Sequence, residues 1–126
     1  MKQSDDKQFV LVDAGMNDLM RPSLYQAWHD ILPVHERPGV ADAIVDVVGP
    51  VCETGCFLGH ARHLNVQADD LIAVKHAGAY GFTMASNYNT RVRPAEVLVE
   101  DDQVWLIRER ETFDDLIRGE RLIAEE

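Results

Sequence analysis

"AEVLVEDDQVWLIRER", residues 95–110, is two runs of β-forming residues on either side of Glu100-Asp101-Asp102. That pattern predicts a β-hairpin closed by a tight acidic turn. Toward the C-terminus, "ETFDDLIRGE" (111–120) reads as a closing helix. Thr112 is its N-cap, and Asp114 and Asp115 sit in the first turn, where the helix dipole favours acids. Phe113, Leu116 and Ile117 would form its buried stripe. Toward the N-terminus, "QFVLVDAG" (8–15), "ILPVHE" (31–36), "AIVDVVG" (43–49) and the apolar part of "DDLIAVKHAG" (69–78) read as strands. Pro33 confines the second of these to an edge. Leu24, Ala27, Trp28 and Ile31 recur at helical spacing and Pro22 suits a first helical turn, so a short helix is expected around 22–28. Residues 37–39 read as a loop and residues 49–67 as mostly irregular. Long strand–helix alternation is missing, which disfavours a nucleotide-binding parallel sheet. The expected fold is mainly β: a Greek-key β-sandwich or partly open barrel with short helices.

The chain has 126 residues, enough for one domain spanning 1–126 and for a substantial core. Residues 1–8 read as a polar tail and 111–126 as the closing helix and tail. The longest apolar runs are too short to cross a membrane. The polar start "MKQSDDKQ" is unlike a secretory signal, which makes the cytoplasm the expected location. Net charge is −10, from 22 acids against 12 Lys plus Arg, and such a chain is repelled by phosphate backbones. Nucleic acid and membranes are therefore not expected partners. Arg91, Arg93, Arg108 and Arg110 form a cluster, but the interleaved Glu96, Glu109 and Glu111 suggest a solvated strand face before an anion patch. Two cysteines in a chain expected to be cytosolic argue against a disulfide framework.

Three stretches could carry chemistry. In "GPVCETGCFLG" (49–59), Cys52 stands beside Glu53 straight after a Gly-Pro turn. The thiol alone reads as a small hydrophobe at a strand end. A carboxylate fixed beside a buried turn needs a cation, and a ligand's ammonium group is one. Cys52, Cys56, His60 and His63 also supply four candidate zinc ligands, at a spacing unlike a common zinc knuckle. In "AGAYGFTMASNYN" (77–89), Gly78 and Gly81 bracket Tyr80, which suggests a tyrosine on a tight, permissive turn. Its phenol could donate to a phosphate or carboxylate, or simply bond a carbonyl. Asn87, Tyr88 and Asn89 read as structural loop groups. In "DLMRPSLY" (18–25), Arg21 and Tyr25 are four apart, so on a helix they share a face that could hold a carboxylate, or Arg21 could simply be a surface arginine covering Tyr25. Composition and spacing alone stop at an acidic, β-rich domain with a small anionic or zwitterionic ligand.

The order of these stretches is more specific. "VDAGMNDLMRPSLYQAWH", "VVGPVCETGCFLG", "AVKHAGAYGFTMASNYNTR" and "RPAEVLV" resemble the C-terminal part of the diaminopimelate decarboxylase family, from about Phe9 to Glu111. That family is pyridoxal-phosphate dependent and shares the alanine-racemase and ornithine-decarboxylase fold type (fold type III). The resemblance implies a C-terminal β-domain that meets a (β/α)8 barrel at a site between two subunits of a homodimer. It implies that Cys52 reaches the neighbouring site as proton donor to the reacting carbon. It implies that Glu53 holds the distal ammonium of the substrate, and that Arg21 and Tyr25 bind its distal carboxylate. Tyr80 would lie at the substrate and contact the cofactor phosphate. The implied reaction converts meso-diaminopimelate to L-lysine and CO2.

Two departures stand out. The family usually has aspartate where Cys56 stands and tends to have proline where Val92 stands. The lysines of this chain are Lys2, Lys7 and Lys75, and none matches the Schiff-base lysine that pyridoxal phosphate requires. The barrel is absent from these residues, so the chain alone is expected to be inactive. The alternative is a non-catalytic module that pairs with a full-length homologous decarboxylase and regulates it.

Overall fold

A computed structural model describes residues 2–4, 7–39 and 41–123, with the backbone alone for 2–4. The chain divides into two compact units, Met1–Ala85 and Ser86–Glu126.

The first unit is built on a four-stranded sheet of order β1-β2-β4-β5, where β1 is Lys2–Ser4, β2 Lys7–Leu11, β4 Ala43–Val48 and β5 Phe57–Leu64. Residues expected as a polar tail thus include a strand, with Lys2 opposite Phe9 in the antiparallel β1–β2 pair. β2 and β4 run parallel, with Val10 opposite Val47, so a long connection must separate them. That connection contains α1 (Arg21–Tyr25) and β3 (Ile31–Pro33). β3 pairs with β6 (Ile72–Val74), in a second, two-stranded antiparallel sheet. Pro33, which lacks an N–H, is accommodated at that edge. The core is aliphatic: Val10, Leu19, Ile31, Val45, Val47, Leu58, Leu64 and Val66 are buried together.

β5 corrects the expectation that 49–67 is irregular. Its polar residues hide the strand from a pattern search, because His60, Ala61 and His63 face out while Leu58, Arg62 and Leu64 are buried. Ala61 also has a left-handed backbone (φ 50°), and the β4–β5 register slips between Val45 and Val47. Buried Asp46 fills the irregularity: its Oδ1 accepts the Ala61 N–H at 2.8 Å, and its Oδ2 lies 3.1 Å from His60 Nδ1 and 3.6 Å from Lys7 Nζ. Burial pushes the Asp46 carboxyl up, but the Ala61 N–H, His60 and Lys7 outweigh it and hold the group below its ordinary value.

Two helices also differ from expectation. α1 begins with Pro22 in its first turn, as expected, but ends at Tyr25 because Gln26 takes a left-handed C-cap conformation (φ 53°). Leu24 and Trp28 are consequently exposed, and Ile31 is buried from a strand instead of a helix. Tyr80 lies in α2 (Gly78–Met84), not on a tight turn. Neither Gly78 nor Gly81 has a positive φ, and a Cβ at either would meet nothing within 4 Å.

The second unit holds the expected hairpin. β7 (Glu96–Glu100) and β8 (Gln103–Arg108) pair antiparallel around Asp101 and Asp102, with Asp101 left-handed at φ 52°. Glu96 lies opposite Arg108 and forms an ion pair with it. The closing helix α3 spans Phe113–Ile117, and Asp115 Oδ2 reaches back to accept the Thr112 N–H at 2.7 Å. Its expected stripe is not buried: Phe113 is 72% exposed and Ile117 is exposed as well.

Candidate functional site

The loop 49–56 joins β4 to β5 and carries Cys52 and Glu53. The Gly49 N–H donates to the Cys56 carbonyl at 2.9 Å, which closes the base of the loop. Within it, the Cys56 N–H donates to the Glu53 carbonyl at 3.0 Å. The loop is then pressed against the turn made by "DAGMND". A Cβ at Gly49 would lie 2.7 Å from both the Ala14 carbonyl oxygen and the Gly15 Cα, so only glycine fits that crossing. Gly15 is fixed in turn by Asp18, whose Oδ2 accepts its N–H at 2.8 Å.

The two cysteines have opposite surroundings. Cys56 is buried, with its Sγ between the two glycines: 3.3 Å from the Cβ position of Gly15 and closer still to that of Gly49. Cys52 is exposed, so the small-hydrophobe reading belongs to Cys56 and not to Cys52. Glu53 is exposed beside it. The four-ligand zinc arrangement is not assembled: among the described residues no three His, Cys, Asp or Glu groups converge on a metal position, and His60 is engaged by Asp46.

α1 is tied to this loop. The Ser23 hydroxyl donates to the Gly55 carbonyl, and Gly55 also lies near Met16. Arg21 and Tyr25 are both in α1, so their i, i+4 spacing stands, and Tyr25 is exposed. Arg21 turns toward α2: its guanidinium carbon is 5.0 Å from the centre of the Tyr80 ring, within cation–π range. Its Nε is shielded from solvent with no hydrogen-bond partner. Tyr80 itself is 54% exposed. A chain of contacts therefore runs from the Cys52–Glu53 loop through Ser23 and α1 to Arg21 and Tyr80. Ser23 is a positioning residue that sequence reading gave no sign of, since a serine after a helical proline is unremarkable.

The arrangement can do three things chemically. It presents a thiol and a carboxylate together on one loop. It presents a guanidinium and two phenols from two short helices. It offers no lysine among them: Lys75 follows β6, and its N–H donates to the Asp30 carbonyl at 2.8 Å.

In the second unit, two arginines of the cluster are ion-paired, Arg108 with Glu96 and Arg93 with Glu111. Glu111 accepts from Arg93 Nε at 2.6 Å, from the Arg93 N–H at 2.8 Å and from Asn87 Nδ2 at 2.7 Å. The Arg93 guanidinium and N–H, with help from Asn87, hold the Glu111 carboxyl down to about 2. The "SNYN" and "RVR" stretches are joined to residue 111 in this way, which accounts structurally for Asn87.

The fold and the exposed groups define a sheet domain that presents a thiol, a carboxylate, a guanidinium and two phenols from one loop and two short helices. Residues 1–78 match the model of the pyridoxal-dependent decarboxylase C-terminal sheet domain, and the chain belongs to that family. It is 54% identical over 125 residues to a diaminopimelate decarboxylase of Pseudomonas fluorescens and 52% identical to one of Vibrio cholerae, covering 99% of this chain in each case. The chain spans only 30% of the length of those two relatives. Among solved structures, that of diaminopimelate decarboxylase from M. jannaschii aligns with a TM-score of 0.91 at 41% identity, over 97% of this chain and 28% of that one. The mainly β fold with short helices is thus the family's sheet domain, and the matching region of its relatives is their C-terminal part.

Proposed function

We propose that this chain supplies the substrate-binding and proton-donating side chains of a diaminopimelate decarboxylase, acting together with a pyridoxal-phosphate-binding barrel. The observation that carries the reading is the loop 49–56, which holds Cys52 and Glu53 exposed side by side while the rest of it is locked by Gly49, Cys56 and Ser23. A loop so anchored keeps its two exposed groups in fixed geometry, as a positioned acid and a binding carboxylate require.

In this reading Glu53 accepts the distal ammonium of meso-diaminopimelate, and Arg21 with Tyr25 holds its distal carboxylate. Such paired contacts select an amino acid with a second amino-acid head. Cys52 delivers a proton to the reacting carbon after CO2 leaves. Tyr80 contacts the substrate and the cofactor phosphate. The open space around Gly78 and Gly81 suits the approach of another group to that helix. Pyridoxal phosphate supplies the electron sink, held by a lysine of the barrel. The sheet, its loop and the hairpin then act as one domain of a cytoplasmic homodimer, with Cys52 and Glu53 crossing into the neighbouring subunit's site.

The test is complementation. This chain is mixed with a separately expressed barrel half of a close relative, pyridoxal phosphate and meso-diaminopimelate, and CO2 release is followed. The reading predicts release from the mixture and none from either half. Glu53→Gln and Arg21→Met should raise KM at least tenfold, since each removes a charged contact worth about 1.5–3 kcal/mol. A barrel half that binds pyridoxal phosphate and this folded chain, yet releases no CO2, would overturn it. Inhibition of an intact decarboxylase by the chain would instead establish a regulatory module.

A further inference from the structure

A cavity of about 500 Å3 opens between the end of α1 and β5, lined in part by Trp28, Ala27, Phe57, Gly59 and Arg62. Arg62 is the unusual member. The residue is only 5% exposed, yet its Nε and Nη1 are shielded from solvent with no hydrogen-bond partner. Burial of an unpaired guanidinium costs several kcal/mol, so such a group calls for an acceptor. One face of the guanidinium is covered by the Trp28 ring, whose centre lies 3.2 Å from Cζ. Gly59 makes the room: a Cβ there would collide with Nε and lie 3.0 Å from Cζ and Nη2.

The neighbouring acids do not fill the need. Asp30 exerts an attractive field on Arg62 and accepts the Trp28 Nε1–H at 3.0 Å, but it makes no hydrogen bond to Arg62 Nε or Nη1. Asp46 is engaged by His60 and the Ala61 N–H. Trp28 forms the outer wall: the residue is 69% exposed, and its ring donates one hydrogen bond to Asp30 and stacks on Arg62. Much of the remaining wall is apolar, from Pro22, Ala27, Phe57 and Leu58.

We infer that this cavity binds a small carboxylic acid with an apolar body, its carboxylate on the Arg62 guanidinium and its body against Trp28 and Phe57. The inference is independent of the decarboxylase reading. Arg62, Gly59 and Trp28 have no part in that reading, and the test needs no activity.

The probe is hexanoate, with hexanamide as its neutral isostere and sodium chloride at matched ionic strength. Trp28 fluorescence is followed in a Trp105→Phe background, which leaves one tryptophan. The expected result is a saturable change with hexanoate up to about 50 mM and none with hexanamide or chloride. Arg62→Met should weaken the response about tenfold or more, with the far-UV circular dichroism unchanged. Gly59→Ala, which keeps the charge but fills its cradle, should do the same. Equal responses to hexanoate and hexanamide, or an unaltered response in a folded Arg62→Met, would overturn the inference. Should both variants unfold, the Arg62 Nε–H resonance of the unmutated chain decides. A shift with hexanoate supports the site, and no shift overturns it.

Discussion

At the scale of single residues, the two thiols divide the roles that the sequence left open. Cys56 fills the crossing between Gly15 and Gly49, and Cys52 stands in solvent. A thiol reagent should therefore modify Cys52 rapidly and leave Cys56 until the chain unfolds. Mass spectrometry of the early product checks this, and equal labelling of both would contradict the packing. Gly49→Ala should cost roughly 1–3 kcal/mol, because the new methyl meets backbone atoms that cannot move aside. Thermal unfolding measures it. Much of this was legible in outline: "GPVCETGC" announced a turn beside a thiol and a carboxylate. Which cysteine was buried was not, since that depends on the approach of Gly15 from a distant stretch.

Elements were legible where local chemistry decided them. The β7–β8 hairpin, the Pro22 helix start and the Thr112 cap follow from turn residues, a missing N–H and a capping side chain. β5 was not, because its periodicity is interrupted at Ala61 and repaired by Asp46, a residue of another strand. The helix of Tyr80 was hidden by glycines that usually signal turns. The Glu111 tie carries a testable pH dependence. Its folded carboxyl is depressed from 4.5 to about 2, so its stabilisation is fully present above the ordinary carboxylate range. It is lost as pH falls from about 4.5 toward 2. Glu111→Gln should cost about 1–2 kcal/mol at pH 7, allowing for solvent screening, and almost nothing at pH 2. Melting curves of both proteins across that range give the comparison, and a constant gap would contradict the tie.

At the scale of the whole molecule, the exposed apolar surface is the feature that asks for company. Val97, Leu98, Val99, Val104, Leu106 and Ile107 are all exposed, on both faces of a hairpin that isolated strands rarely sustain. The chain also spans 30% of the length of its diaminopimelate decarboxylase relatives in Pseudomonas and Vibrio. Sedimentation should show association that grows with concentration, and Leu98→Lys with Leu106→Lys should reduce it. A monomer at every concentration would argue that the hairpin needs no cover. The charge of −10 disfavours nucleic acid as a partner, and among the described residues no helix is long and apolar enough to cross a membrane. That none of Lys2, Lys7 and Lys75 matches a cofactor-holding lysine was equally plain in the sequence.

The proposed role of Cys52 is proton donation in a decarboxylase site completed by a pyridoxal-phosphate-binding barrel. The direct measurement is CO2 release from meso-diaminopimelate by the reconstituted pair carrying Cys52→Ala. The expected result is a fall in kcat of roughly 10²–10³ with the chain still bound and folded. A variant that retains the full rate would contradict it.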